Sequence, residues 1–428
     1  MAIARDTPKA HGLDGLMEKP DWPPLTLPEV DSLLRRYPQA GGAERLLSRS
    51  PRPFSAASVV ATPAGAVFVK RHARAIRDRD GLLEEHRLIA HLAVEMEGEV
   101  SRAPESPSVS PGLVQAVFAD RDGETAVAEG EWTYEVHPLA RGVDVYEQAL
   151  SWTPFLSSAH ARAAGQAMAT LHRAAASYQG PARKTQQLVT RFTIFAGHDL
   201  EDFSGSYKSD EGPFRRMDAY LDRRPMLRDY AEERDWRSSF DELFMPLYRD
   251  LDPWLVYLRP LWTHNDFHAS NLTWTLAESG DTEDVEVTGI VDFGLADRTN
   301  AVHDLATAIE RNVVEWLRMA EPEAHLVHLD HLDALLTGYE ELSPLSYEEA
   351  RALVAMLPLV HCEFALSETD YFLSILNSCE KAYLAYEGYF VAHARWYGST
   401  QGRALLEHLE RWAEDRPRAR GGDLEWRT

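Results

Sequence analysis

One carboxylate loop and one downstream carboxylate carry most of the chemistry that this sequence can do. The run Thr263-His264-Asn265-Asp266-Phe267-His268-Ala269-Ser270-Asn271 has the spacing H-x-D-x-x-x-x-N, and Ile290-Val291-Asp292-Phe293-Gly294 follows about twenty residues later. Phosphoryl transfer from ATP needs a carboxylate that orients and deprotonates an acceptor hydroxyl. It also needs hard oxygen ligands for the Mg²⁺ that bridges the phosphates. Asp266 answers the first need as catalytic base. The amide oxygen of Asn271 and the carboxylate of Asp292 answer the second as metal ligands.

These residues work together only if the chain folds back on itself. Residues 271–276 and 285–293 are β-prone and bracket the acidic, turn-forming stretch 278–284, so a hairpin is predicted that brings Asn271 beside Asp292. Upstream, 58–62 and 66–72 flank Pro63-Ala64-Gly65, the signature of an earlier hairpin. The stretch 81–96 has apolar residues at helical spacing, and so does 30–37. Residues 114–120 and 125–139 read as further strands. From 160–176 onward the pattern is helical, through 180–260 and again from Asp304 to Trp412. The predicted order is a small β-rich lobe with one helix, then a large helical lobe interrupted by one hairpin.

Bulk composition excludes several function classes. Sixty-eight acidic against 44 basic residues give a net charge of −24 over 428 residues. A nucleic-acid binder needs a basic face, so no nucleic-acid partner is expected. An acidic field does suit cationic small molecules. No run reaches the roughly 20 apolar residues of a membrane span, and the opening 15 residues lack the apolar core of a signal peptide, so no membrane partner is expected. The two cysteines, Cys362 and Cys379, are too few for a disulfide framework. Both are read as buried thiols in a reducing cytoplasm.

The loop and the D-F-G segment resemble those of the aminoglycoside phosphotransferase and choline kinase group, relatives of protein kinases that phosphorylate small alcohols. Their loop reads H-G-D-x-H-x-x-N; here Asn265 replaces the glycine, and Asn tolerates left-handed φ better than most residues. His268 fits this group better than it fits protein kinases. The resemblance implies an α+β, protein-kinase-like bilobal fold. Its parts would be an N-terminal arm (1–26), a β-rich nucleotide-binding lobe (27–137), a helical lobe with the catalytic loop and substrate site (138–415), and a tail (416–428). It also implies ATP and Mg²⁺ as cofactors.

By the same resemblance Lys70 grips the nucleotide phosphates and Glu85 steadies it, with Glu84 in reserve. Ser55 and Ser58 stand in the loop that covers the phosphates, where a protein kinase has glycines. Glu135 and His137 belong to the segment whose backbone binds adenine where the chain leaves the small lobe. Asp304 anchors the catalytic loop, and His264 braces it. The acceptor site is not legible as a motif. Glu363 and Asp370, seven residues apart on one helix face, are candidates for holding an amine beside Tyr371, and the aromatics at 383–397 read as core. The implied activity is transfer of the ATP γ-phosphate to a small alcohol. A nucleotide-binding pseudokinase and a protein serine/threonine kinase are the alternatives on this fold.

Overall fold

β-branched residues alternate with small or polar ones through the first third of the chain, and that alternation builds an antiparallel sheet. In the computed structural model, which describes residues 20–50, 52–102, 112–196, 211–275, 285–321, 324–416 and 418, five strands make it up: β1 (Arg45–Leu46), β2 (Ala56–Thr62), β3 (Gly65–Ala73), β4 (Val127–Glu129) and β5 (Trp132–Pro138). Their spatial order is β1-β2-β3-β5-β4. The β2–β3 turn closes at Gly65, whose φ of 125° suits glycine.

Register decides which side chains see the cleft. Val59 pairs with Phe68, Ala57 with Lys70, and Lys70 with Glu135. Val60, Val67, Val69, Tyr134 and Val136 therefore point to the opposite face, where they pack with Val30, Leu33 and Leu34 of the opening helix Leu27–Leu34. A slip of one residue would turn Lys70 into that core. The helix Arg79–Arg102 carries Leu88, Ile89 and Leu92 into the core of the helical lobe.

That lobe contains the helices Ser158–Ala175, Ala301–Val313, Leu329–Glu340, Tyr347–Met356, Cys362–Ser374 and Thr400–Glu414. Ser158–Ala175 and Leu329–Glu340 approach so closely that a Cβ on Gly165 would lie 2.1 Å from the Leu335 carbonyl oxygen. Two short ladders interrupt the helices. β6 (Leu261–Thr263) pairs with β9 (Asp297–Thr299), and β7 (Leu272–Trp274) pairs with β8 (Val287–Ile290), the predicted second hairpin. Its turn, 278–284, lies outside the described residues.

Several expectations need correction. Residues 114–120 form no strand. They run extended beside β5, with the Phe118 N–H donating to the Val136 carbonyl at 2.8 Å. The described part of the arm, 20–26, packs against the fold: Leu25 is buried and Asp21 accepts from Tyr371 Oη (2.9 Å) and Lys381 Nζ (3.1 Å). Residues 1–19 and most of 416–428 lie outside the described residues. Cys379 is exposed, and only Cys362 is buried. Among the described residues no helix is long and apolar enough to cross a membrane.

Candidate active site

The loop 263–271 opens on a left-handed turn held by buried side chains. Asn265 sits at φ 61°, in the left-handed region. Its side-chain oxygen accepts from Thr263 Oγ1 (2.7 Å) and Thr299 Oγ1 (3.1 Å), which fixes the turn between β6 and β9. Asp304, fully buried at the start of the helix Ala301–Val313, accepts from the backbone N–H groups of His264 (3.0 Å) and Asn265 (2.8 Å). His172 binds the same carboxylate at 2.9 Å. His264 reaches across to the Val291 carbonyl at 3.0 Å, tying the loop to the D-F-G segment.

Asp266 emerges from this scaffold. Asn271 Nδ2 donates to its carbonyl (2.9 Å) and its carboxylate (3.3 Å). His268 Nε2 lies 3.5 Å from the carboxylate and Arg311 Nε 3.8 Å from it. Burial alone would raise the Asp266 pKa, but His268 and Arg311 outweigh burial and hold it below the usual carboxylate range. Burial lowers the pKa of the His268 imidazole, and the Asp266 carboxylate opposes that shift.

Asp292 follows β8 at φ 61° and accepts from Lys70 Nζ at 2.8 Å. Burial disfavours the charged Lys70 ammonium, but Asp292, Glu135 and Glu85 together raise its pKa. Asn271 engages its amide nitrogen on Asp266, which leaves its amide oxygen as the donor for a cation, and Asn271 and Asp292 line the same two cavities. Two hard oxygen donors of this kind fit Mg²⁺, which takes one or two protein oxygens and completes its shell with water and phosphate.

Two cavities meet here. One, of about 340 Å³, lies under the sheet and is lined by Ser55, Phe68, Lys70, Glu135 and His137. The other, of about 170 Å³, opens beyond Asp266 among Trp152, Arg311, Phe364, Glu368 and Tyr389. Arg52, Asn271 and Asp292 line both. Arg52 donates to the hydroxyls of Ser270 (2.7 Å) and Ser151 (3.4 Å) at this junction.

A family model described as the phosphotransferase enzyme family matches residues 54–345, a span that contains Lys70, the catalytic loop and Asp292. The chain belongs to that family. It is a small-molecule phosphotransferase, a kinase acting on hydroxyl groups. No curated protein matches the chain.

Among solved structures, an aminoglycoside phosphotransferase from Alicyclobacillus acidocaldarius is 17% identical. The alignment covers 92% of this chain and 98% of that one, at a TM-score of 0.46. A spectinomycin phosphotransferase in complex with ADP and spectinomycin is 11% identical, covering 90% and 98%, at 0.47. A microcompartment-associated aminopropanol kinase is 18% identical, covering 87% and 97%, at 0.47. Scores this low assign no substrate.

The structure redistributes several predicted roles. Lys70 bonds to Asp292, whereas Glu85 is taken by Arg183 at 3.2 Å, and Glu84 accepts from the Lys184 backbone. Arg183 also donates to the carbonyls of Gly294 (2.9 Å) and Ala296 (3.2 Å), so Glu85 supports the D-F-G turn through an arginine. Ser55 lines the cavity under the sheet. Ser58 does not: it is 0% exposed and its hydroxyl donates to the Ser48 carbonyl.

Glu135 and His137 lie within β5, Glu135 in ladder register with Lys70, and both line the cavity under the sheet. The chain leaves the small lobe after Pro138, and Leu139, Ala140 and Arg141 line the cleft there. The Glu135 carboxylate gathers His72 (2.8 Å), His86 (2.8 Å) and His137 (2.9 Å). Glu363 accepts from Thr193, and Asp370 faces Gln187 and Arg224, because burial inside the lobe demands local donors. Neither lines the cavity beyond Asp266. The acidic side chain of that helix that does is Glu368. Arg52, Arg311 and Glu368 belong to no motif, and only the aromatic richness of 383–397 hinted at Tyr389.

Proposed function

We propose that the chain transfers the γ-phosphate of ATP, with Mg²⁺, to a hydroxyl of a small molecule seated in the cavity beyond Asp266. The observation that carries this reading is the meeting of the two cavities at Arg52, Asn271 and Asp292, with Asp266 on the acceptor side. The acceptor O–H would donate to Asp266. As the acceptor oxygen bonds to the γ-phosphorus, the bond to the β,γ-bridging oxygen breaks, ADP leaves, and the proton passes through Asp266 to solvent. A carboxylate held this acidic is a weak base, so most of its work is to orient the hydroxyl.

Lys70 would leave Asp292 for the phosphates, and Arg52 would face the phosphoryl group in transit. Asn271 and Asp292 would hold Mg²⁺, which supplies charge neutralisation on the phosphates when bound. Ser55 would cover them, and Leu139–Arg141 would border the adenine. Two free thiols accord with a reducing, cytoplasmic setting. The test is ADP release over a panel of hydroxylated small molecules. Turnover that Asp266→Ala lowers by about 10²-fold or more, with ADP affinity retained, is the expected result. Unchanged turnover in that variant would sink the mechanism.

A further inference from the structure

The cavity beyond Asp266 limits what the acceptor can be, given the phosphotransferase reading above. At about 170 Å³ it falls below the roughly 300–1,000 Å³ of sites for drug-sized ligands. Its walls are mostly apolar. Phe54, Trp152, Phe364, Phe372 and Tyr389 surround it. The π-helical turn Leu384–Val391 turns Leu384, Ala385 and Tyr389 into the space.

The charges at its rim are mostly accounted for. Arg311 stands 3.8 Å from Asp266 and 3.5 Å from Glu310. Lys381 lies 3.1 Å from Asp21. Glu368 differs. It is 8% exposed and lines the cavity, yet it makes no hydrogen bond and no ion pair among the described residues. Burial pushes its pKa up to about 7; Arg311 and Lys381 pull it down, while Asp21 and Asp266 add to the rise. A carboxylate that faces a cavity with no protein donor leaves its acceptor oxygens free for a ligand's donor.

We infer that the acceptor is a small alcohol with an apolar body and a single ammonium group, which is received by Glu368 among the aromatic rings. An ammonium there supplies the missing donor, and the ring faces add cation–π attraction. Polycationic amino sugars do not fit. Apart from Glu368, the carboxylates that line the cavity are Asp266, which orients the hydroxyl, and Asp292, which holds the cation; a further ammonium would face Arg52, Arg311 or Lys381, and like charges in a desolvated site repel.

Calorimetric binding to the full chain tests this without requiring turnover, with 2-phenylethylamine, its neutral isostere 2-phenylethanol, and kanamycin as a polycation. The wild type is expected to bind the amine about tenfold or more tightly than the alcohol, the scale of one charge-assisted hydrogen bond. Glu368→Gln is expected to erase that preference while keeping the affinity for 2-phenylethanol, which also reports on its folding. An amine bound no tighter than the alcohol by the wild type overturns the inference, whatever becomes of the variant. So does a preference that survives in Glu368→Gln, or kanamycin binding that depends on Glu368. Failure of the phosphotransferase reading is separate: no ADP release with any acceptor, while the binding pattern stands.

Discussion

Removing the Asp304 carboxylate should loosen the catalytic loop more than any change at its rim. Its two oxygens satisfy three donors: the backbone N–H groups of His264 and Asn265 and the His172 ring. All are buried, so in Asp304→Ala two backbone N–H groups lose their acceptor without gaining water. Each such orphan costs about 1–3 kcal/mol, giving a total on the order of 3–5 kcal/mol. That is a large share of the roughly 5–15 kcal/mol that holds a domain together. Asp304→Asn keeps one acceptor oxygen and turns an NH₂ toward the other donors, so about half of that loss is expected.

The same change frees Asn265 from its left-handed turn and lets Asp266 drift. A displacement near 1 Å costs about 10²-fold in rate. Urea denaturation midpoints and steady-state ADP release, measured on wild type and both variants, read the two effects separately. A midpoint and a turnover in Asp304→Asn equal to wild type would refute the reasoning.

Lys70→Ala should weaken ADP binding about tenfold or more, the scale of a charge-assisted hydrogen bond. Glu85→Gln should weaken it less, because the Lys70 hydrogen bond goes to Asp292 and Glu85 serves Arg183. Equal losses of affinity in calorimetry would contradict this assignment. Acid should destabilise the fold through His303 and His361, which burial lowers from 6.5 to about 4. Between those values the unfolded chain binds more protons than the folded one, so stability is full above about pH 6.5 and falls as pH drops toward 4. Each histidine contributes about 3 kcal/mol to that fall. A denaturation midpoint constant from pH 7 to 5 would count against the burial of both rings.

What the sequence made legible is what chemistry restricts to a few residue types. A phosphate-transfer loop needs a carboxylate, an amide and a second carboxylate at fixed offsets, so Asp266, Asn271 and Asp292 stood out, and the β7–β8 hairpin explained their meeting. Asn265 at a left-handed position was legible for the same reason, since few residues accept that conformation. Periodicity was sufficient for β2, β3 and the helix after them. It failed at 114–120, whose apolar residues run extended without a ladder partner.

The partner of Lys70 was not legible, because either of two adjacent glutamates and a distant aspartate can reach a lysine, and only the folded register decides. Ser58 shows the same limit, since its strand face was one alternation away from the cleft. The acceptor cavity was the least legible part. Arg52, Trp152, Arg311, Glu368 and Tyr389 come from five separated segments, and none has a spacing that a motif could carry. Glu363 and Asp370 share an acidic helix with Glu368, and only packing decides which carboxylate faces the cavity.

The most direct test of the central claim is phosphorus NMR of a turnover mixture containing ATP, Mg²⁺ and a small amino alcohol, with wild type and Asp266→Ala run in parallel. The account predicts a phosphomonoester resonance on the acceptor that grows with ADP in the wild type and is suppressed in the variant. ADP accompanied only by inorganic phosphate, or an ester formed equally by Asp266→Ala, would contradict it.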